Sequence, residues 1–247
     1  RNSEVDVIVI DEGELTVAEL VERITDRKSY KDIKGIWYKD DDGNIHQTPL
    51  RERITNLDSL PFPAWDLINI PLYMKHAGPF LDGGLLTGWI SAVRGCPFSC
   101  RYCSRSFGRN VTTRSANKII DDILEFKRLY NSTHFQIVDD LFMAYLKLVK
   151  DFAKSLMERK VDITWECTGR VNLVDEELLR LSKESGCVSI GYGIESGSQK
   201  ILDNMNKGVT VEQAKRAIEL TRKAGLGIGS PFMFGYVGED RATIAET

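Results

Sequence analysis

The feature that most limits the fold of this 247-residue chain is a repeated alternation of strand and helix patterns from residue 89 onward. Strand-like apolar stretches cover residues 89–94, 135–138, 162–167, 187–194 and 226–234, and an amphipathic helical pattern follows each of them. Strands joined through helices pair in parallel with right-handed crossovers. Polar residues follow nearly every strand, as they do around the mouth of a barrel. The pattern therefore predicts an α/β fold that is a β/α barrel, or part of one, rather than an open doubly wound sheet.

The first 72 residues predict a different arrangement. Residues 5–10 form a strand pattern that leads into a helix ending near residue 25, and a hairpin follows at 35–39 and 44–48. The stretch 57–72 contains three prolines and predicts an extended connector against a neighbouring surface. A lone βα unit with a hairpin cannot bury both faces of a strand, because nothing else in this stretch can pair with it fully.

These patterns predict three segments. The expected boundaries are the end of another domain at 1–30, a hairpin and Pro-rich connector at 31–88, and a β/α core at 89–247 that stops short of a sixth strand. The chain opens on Arg1-Asn2-Ser3-Glu4 without a charged and then apolar leader, and no apolar stretch is long enough to cross a bilayer. Five cysteines are too few for a disulfide framework, so we expect reduced thiols and a cytoplasmic protein.

Three cysteines in the segment Cys96-Pro97-Phe98-Ser99-Cys100-Arg101-Tyr102-Cys103 are the strongest chemical signal. Three thiols cannot complete a four-ligand structural zinc site alone, but they can hold three corners of a cubane iron–sulfur cluster. Such a cluster would keep one iron free for a substrate or cofactor. Two alternatives stay open, namely incidental thiols and a zinc site completed by Cys167, Cys187 or a histidine.

Positive charge is concentrated around these cysteines. Residues 83–120 contain no Asp or Glu and carry +6, which leaves −9 for the rest of a chain whose net charge is −3. A solvated surface is the plain interpretation of such a run, but beside three cysteines it favours stabilisation of thiolates and of an anionic ligand. The overall charge argues against a nucleic-acid partner. The six cations are Arg94, Arg101, Arg105, Arg109, Arg114 and Lys118.

The motif C-x3-C-x-aromatic-C, in a loop after the first strand of a β/α barrel, resembles the radical S-adenosylmethionine (SAM) superfamily. Four further phrases resemble its cobalamin-binding subgroup, at residues 7–14, 57–64, 193–198 and 205–208. The resemblance implies a [4Fe–4S] cluster, SAM cleaved to a 5′-deoxyadenosyl radical, and cobalamin. The subgroup's Asp-x-His-x-x-Gly cobalamin loop is absent, so the chain resembles a fragment that begins in a Rossmann-like cobalamin-binding domain. Cobalamin is then expected to be bound mainly by an upstream domain.

The resemblance also implies a role for two residues near the nucleoside part of SAM. Tyr102, directly before the third cysteine, would pack on the adenine, although any half-buried aromatic side chain could occupy this position. Glu195 follows a glycine-flanked strand, where backbone can approach a ligand closely, and its carboxylate would accept the ribose hydroxyls.

Three polar residues would contact the methionine part of SAM by the same resemblance. Asp139 and Asp140 follow the second strand, where the superfamily places groups for the methionine amino group, but a helix cap is a serious alternative for one of them. Arg170 could pair with the methionine carboxylate, or form a surface ion pair with Glu166 or Asp175.

The sequence therefore predicts a radical SAM enzyme that performs cobalamin-associated methyl transfer or rearrangement. Its implied partners are a small-molecule or peptide substrate and an electron donor such as flavodoxin or ferredoxin. One alternative is a methylthiotransferase-like modifier of RNA or protein, which the acidic remainder of the chain disfavours for RNA. The other is a metal-stabilised binding module without turnover.

Overall fold

The computed structural model describes residues 5–76, 87–104 and 106–247. The N-terminal Arg1-Asn2-Ser3-Glu4, residues 77–86 of the predicted connector and Arg105 of the basic stretch lie outside the described residues. Two compact units divide the chain, Arg1–Thr55 and Asn56–Thr247.

The first unit is a small antiparallel sheet with one helix. In chain order it contains β1 (Val7–Val9), α1 (Gly13–Thr25), β2 (Ile36–Lys39) and β3 (Ile45–Gln47). The predicted hairpin is confirmed, and β2 lies between β1 and β3. The prediction that β1 finds no full partner within the first 72 residues is wrong for one of its edges, because the hairpin strand β2 pairs with it antiparallel from Val7↔Tyr38 to Val9↔Ile36.

The proline-rich stretch is less extended than predicted. It contains two short 3-10 turns, Leu57–Ser59 and Trp65–Leu67, and then α2 (Ile70–His76). Its aromatic side chains Phe62 and Trp65 pack on the core of the second unit, and the Trp65 ring meets the Phe126 ring edge-on at 5.7 Å. Contact with a neighbouring surface is thus confirmed, while the backbone conformation is more compact than the proline count indicated.

The second unit contains the predicted parallel sheet. Its described strands are β4 (Thr87–Ile90), β5 (Val93–Arg94), β6 (Thr112–Thr113), β7 (His134–Ile137), β8 (Thr164–Gly169), β9 (Cys187–Tyr192) and β10 (Gly227–Gly229). The order β10-β9-β8-β7-β4 places the strands side by side in chain order, and every pair is parallel. The described strands form a partial barrel, as predicted.

The first and the last predicted strands differ most from their predicted extent. The expected strand 89–94 is divided, because Val93–Arg94 leaves the sheet and pairs antiparallel with Thr112–Thr113. This short ladder closes the cysteine loop at its base. The last strand ends at Gly229, well before residue 234, and Pro231 follows it.

The helices cover one face of this sheet. They are α3 (Ala116–Tyr130), α4 (Leu146–Glu158), α5 (Glu176–Glu184), α6 (Gln199–Asn204), α7 (Val211–Lys223) and α8 (Arg241–Glu246). The predicted caps Ser115 and Thr210 accept bonds from Lys118 N and Gln213 N. None of the described helices has both the length and the apolar character needed to span a membrane.

The core lies between these helices and the sheet. The rings of Phe142, Phe152 and Trp165 meet edge-on at 5.4–6.2 Å, and all three are buried. Cys167 and Cys187 are buried in the same core, as expected of small apolar side chains. This packing fixes the strands, so that the loops at their carboxyl ends meet over one edge of the sheet.

Candidate functional site

The cysteine loop leaves the short ladder at Gly95 and returns to it before Thr112. Gly95 has φ +88°, and a Cβ there would collide with the Asn110 carbonyl oxygen, so glycine is required directly before Cys96. The Cys96 amide donates to the Gly108 carbonyl at 3.0 Å. These backbone constraints hold the loop so that its cysteines lie at the mouth of the partial barrel.

Residues 204–206 hold the middle of the cysteine loop by hydrogen bonds. The Arg101 amide donates to the Met205 carbonyl at 2.8 Å, and the Arg101 guanidinium donates to the Asn204 carbonyl at 3.1 Å. The Asn206 side chain donates to the Ser99 carbonyl at 2.9 Å. The end of α6 and the two residues after it therefore position the cysteine loop through two backbone carbonyls and one side-chain amide, which the sequence analysis did not anticipate.

Three cysteines and several polar side chains line one cavity of about 310 Å³. The polar and cysteine side chains in its lining are Cys96, Cys100, Tyr102, Cys103, Asp140, Thr168, Arg170, Glu195 and Lys207. The structure therefore brings together all of the predicted site residues except Asp139.

The cavity's cysteines fit a cluster better than a single ion. Among the described side chains, no three His, Cys, Asp or Glu groups converge closely enough to hold one metal ion, so the zinc alternative through Cys167 or Cys187 gains no support. The thiolates of a cubane bind separate irons and need to surround a cluster instead of one point. Cys96, Cys100 and Cys103 line a common cavity and are free thiols, as this requires.

Arg170 supplies the positive charge at these sulfur atoms. It follows β8 directly, because that strand extends to Gly169, two residues beyond its predicted end. Its guanidinium donates to Cys100 Sγ at 3.6 Å and to Asn172 Oδ1 at 2.9 Å, and it stacks on the Phe98 ring at 3.9 Å. Arg170 is buried, so the alternative of a surface ion pair is excluded.

The basic stretch makes a smaller contribution to the site than expected. Arg114 and Lys118 both pair with Asp122 on α3, and Arg94 stacks on the Phe107 ring at 5.1 Å. Two of the six cations thus neutralise a carboxylate of the chain itself. The expectation that this stretch stabilises the thiolates is wrong for those two.

Tyr102, Glu195 and Lys207 form a hydrogen-bonded triad in which Glu195 and Lys207 are buried and Tyr102 is half-buried. Tyr102 Oη donates to Glu195 Oε1 at 3.0 Å, while Lys207 Nζ lies 3.1 Å from that oxygen and 2.6 Å from Tyr102 Oη. Burial and the Glu195 carboxylate raise the pKa of Tyr102, so its hydroxyl remains a donor. A Cβ at Gly193 would lie 2.6 Å from Glu195 Oε1 and 3.0 Å from Lys207 Nζ, so that glycine leaves room for the triad.

Lys207 is the clearest residue that the sequence analysis missed. It belongs to the phrase 205–208, and its side chain is only 7% exposed. Its place in that phrase, which resembles the cobalamin-binding subgroup, was the signal in the sequence that could have pointed to it. The lysine itself gives no indication of burial, because lysines are usually exposed.

The two adjacent aspartates have separate roles. Asp140 is exposed and lines the cavity, whereas Asp139 is buried and does not. Asp139 Oδ1 accepts from the Ala92 amide at 2.8 Å and from Ser91 Oγ at 3.2 Å, which ties the end of β7 to the segment after β4. Asp139 Oδ2 is buried without a hydrogen bond in the described structure.

Burial raises the pKa of Asp139 to about 7, which predicts a pH-dependent stability. Between about pH 4 and pH 7 the folded state keeps a proton that the unfolded state has lost, so stability falls as the pH rises through this window. Asp139→Asn keeps the Oδ1 acceptor and cannot ionise. The free energy of unfolding of wild type and variant is measured by denaturation at about pH 4 and pH 8. From the lower to the higher pH, the variant should become more stable relative to wild type by up to about 4 kcal/mol.

The exposed neighbour is the matched control for that experiment. Asp140→Asn is expected to change the free energy of unfolding by less than about 0.5 kcal/mol at either pH. If the difference in the free energy of unfolding between Asp139→Asn and wild type stayed constant from acid to neutral pH, the buried carboxyl would not titrate in this window.

The fold and the site define an α/β protein with a parallel sheet and a three-cysteine loop at the carboxyl ends of its strands. The model of the Radical SAM superfamily matches residues 90–247, and the chain belongs to that superfamily. Members of this superfamily use a [4Fe–4S] cluster and SAM, which confirms the cofactor class that the sequence resemblance implied.

Two relatives match over 98% of the chain. An uncharacterized methyltransferase of Pyrococcus horikoshii is 32% identical over 245 residues, and this chain covers 52% of it. The anaerobic magnesium-protoporphyrin IX monomethyl ester cyclase of Rubrivivax gelatinosus is 30% identical over 255 residues, with 44% covered. The chain thus spans about half the length of these curated relatives.

A solved structure shows the same fold. The cobalamin-dependent SAM radical enzyme OxsB with aqua-cobalamin bound superposes with a TM-score of 0.81 at 23% identity. The match covers 97% of this chain and 35% of that one. The predicted fold class is confirmed by this likeness and by the parallel sheet.

Proposed function

We propose that this chain is the core of a radical SAM enzyme in which Cys96, Cys100 and Cys103 hold three irons of a [4Fe–4S] cluster. The observation that supports this most is the single cavity that these cysteines share with Arg170 and Glu195. When bound, the cluster supplies the electron that cleaves SAM reductively to a 5′-deoxyadenosyl radical. The chain's own side chains then bind the two ends of SAM and keep its reactive centre in place.

Arg170 and Asp140 bind the methionine part of SAM in this proposal. Arg170 Nε and Nη1 are engaged with Asn172 and Cys100, and Nη2 has no hydrogen bond among the described residues, so it can donate to the methionine carboxylate. Asp140 places an exposed carboxylate in the cavity for the methionine amino group. Asp139 supports this arrangement only indirectly, by anchoring the strand end.

Glu195 and Tyr102 bind the nucleoside part. Glu195 Oε1 is occupied by Tyr102 and Lys207, whereas Oε2 has no described hydrogen bond and can accept from the ribose hydroxyls. The Tyr102 ring offers an aromatic surface for the adenine. Lys207 holds both groups in these orientations without contacting the cofactor.

The whole protein performs cobalamin-dependent methyl transfer or a related rearrangement. This proposal is supported by the similar proteins, which include a methyltransferase, a cyclase and a cobalamin-dependent enzyme. Cobalamin binds mainly to the part of the protein outside this chain. The substrate is a small molecule or peptide, a flavodoxin or ferredoxin supplies the electron, and the enzyme works in the cytoplasm, where its five free cysteines remain reduced.

The core reaction is tested by uncoupled cleavage of SAM. Full-length protein with an anaerobically reconstituted cluster is reduced with dithionite in the presence of SAM, and 5′-deoxyadenosine is quantified by liquid chromatography. Release without any substrate is the expected result, since cleavage needs only the open iron and the cofactor contacts. A fully loaded cluster that yields no 5′-deoxyadenosine would contradict the proposal.

The cofactor contacts are tested by substitution at two strand ends. Arg170→Ala and Glu195→Ala should each weaken SAM binding by about 1–3 kcal/mol, the range for a lost charge-assisted hydrogen bond. Isothermal titration calorimetry on the reconstituted protein measures this change. Arg180→Ala is the control, because Arg180 forms an exposed ion pair with Glu184 on α5. Wild-type affinity in both strand-end variants would show that SAM binds elsewhere.

A further inference from the structure

A row of polar and small residues crosses the sheet on the face opposite the helices. Gln136 on β7 is in register with Glu166 on β8, Glu166 with Ser189 on β9, and Ser189 with Gly227 on β10. Side chains alternate between the two faces of a strand, so these four residues share one face. We refer to Gln136, Glu166, Ser189 and Gly227 as the polar row.

The sequence neighbours of the polar row lie on the other face. Phe135, Trp165 and Ile190 are fully buried in the core under the helices. One step toward the carboxyl ends, the next row on the open face includes Thr168, in register with Gly191, which in turn faces Gly229. Over β7 to β10 these two rows on the open face are thus made of polar groups and glycines, whereas on β4 the residue in register with Gln136 is Trp89.

This composition leaves space where a closed barrel would be filled. The interior of a β/α barrel is normally packed with layers of bulky, branched side chains. Here the described residues surround a cavity of about 490 Å³, a size typical of small-molecule sites. Its lining combines polar groups with glycines and a few apolar side chains, namely Gln136, Ile137, Glu166, Cys167, Thr168, Ser189, Gly191, Ile228, Gly229, Ser230 and Pro231.

The row cavity is continuous with the cofactor cavity. Thr168, Gly191 and Pro231 line both of them. A molecule on the polar row would therefore lie next to SAM as placed in the proposed function. Such a neighbouring position is what a reaction between two bound molecules needs.

Glu166 is the charged group of this cavity and has no counter-ion among the described residues. Its carboxylate forms no hydrogen bond or ion pair with the described residues, and burial raises its pKa. The side chains of Gln136 and Ser189 likewise have no hydrogen bond among the described residues. By contrast, the buried carboxylates of Asp122 and Glu195 are each paired with a cation of the chain.

These three half-buried side chains line one cavity and form no hydrogen bonds with the described residues, so all three are available to a ligand with complementary groups. A carboxylate away from bulk water favours a cation over a neutral or anionic group, since a second negative charge there would be repelled. An amide and a hydroxyl on either side of it can both donate and accept hydrogen bonds.

We propose that the row cavity binds the substrate, and that this substrate is a small molecule carrying a cationic nitrogen held by Glu166. Gln136 and Ser189 hydrogen-bond its neighbouring polar atoms, and Gly191 and Gly229 leave room for its body. The assignment rests on the proposed function, because it takes the adjoining cavity as the SAM site.

The test uses a cationic probe and its neutral counterpart on the full-length protein with a reconstituted cluster. Binding of 4-fluorobenzylamine and of 4-fluorobenzyl alcohol is followed by fluorine NMR in wild type, Glu166→Gln and Glu219→Gln, in which an exposed carboxylate on α7 is replaced. Wild type and Glu219→Gln should bind the amine at least tenfold more tightly than the alcohol. Glu166→Gln should lose at least tenfold in amine affinity and keep its affinity for the alcohol.

Equal amine affinity in wild type and Glu166→Gln, equal affinity of wild type for both probes, or no detectable amine binding would each overturn the assignment. Uncoupled 5′-deoxyadenosine release by the wild-type protein is measured in parallel. Release without amine binding would refute only the substrate site. Amine binding without release would leave the cationic site standing and refute the proposed function.

Discussion

Replacement of Cys96, Cys100 and Cys103 by alanine is expected to abolish iron–sulfur binding. The reconstituted wild-type protein should contain about four irons per chain, and the triple variant essentially none, because thiolates are the protein ligands of such clusters. Iron and sulfide analysis together with the visible absorbance spectrum measures this loss. The effect should be complete, since the three cysteines share one cavity and no other described cysteine lines it.

The two core cysteines are the matched control for this result. Cys167 and Cys187 are 4% and 1% exposed, and burial raises the pKa of both thiols, that of Cys187 to about 12. Cys167→Ala and Cys187→Ala should therefore retain a full cluster. Wild-type iron content in the triple variant would show that the cluster is bound elsewhere.

Replacement of Lys207 by methionine is expected to destabilise the protein by about 3–5 kcal/mol, because it leaves the Glu195 carboxylate buried without its cation. The two side chains are only 7% and 10% exposed, and Nζ and Oε1 lie 3.1 Å apart. The free energy of unfolding in denaturant measures the loss. SAM affinity should fall as well, because Tyr102 and Glu195 lose the group that orients them.

Two further variants separate this pair from a general effect of losing a lysine. Lys200→Met removes an exposed ion pair with Asp240 and should change stability by less than about 1 kcal/mol. The double variant Lys207→Met with Glu195→Gln should be more stable than Lys207→Met alone, because no buried charge remains unpaired. If Lys207→Met were no more destabilising than Lys200→Met, the buried pair would not have the energetic importance that its geometry indicates.

Much of the fold was predictable because it depends on local patterns. Strand and helix alternation, the caps at Ser115 and Thr210 and the close spacing of the three cysteines are all features of neighbouring residues. The parallel sheet followed from that alternation, since helical crossovers allow few other topologies. Strand ends were less predictable, and the two-residue extension of β8 moved Arg170 to the edge of the sheet.

The two aspartates show where local patterns are insufficient. The sequence predicted cofactor contacts for both, with a helix cap as the alternative for one of them, but the N-cap residues of the two helices that follow are Leu141 and Tyr145. Which of them lines the cavity depends on the path of the chain after β4, where the Ala92 amide binds Asp139. Asp140 is left exposed at the cavity as a consequence.

The sequence by itself determined the parallel α/β core, the three-cysteine loop and the family that the loop indicates. Only the tertiary structure decided that Arg170 contacts Cys100, that Lys207 joins Tyr102 and Glu195, and that Glu166 lines a cavity with no counter-ion from the part of the chain that the structure describes. These contacts join residues far apart in the chain or on neighbouring strands. Strand register and helix packing set them, and both are properties of the whole core rather than of any local stretch of sequence.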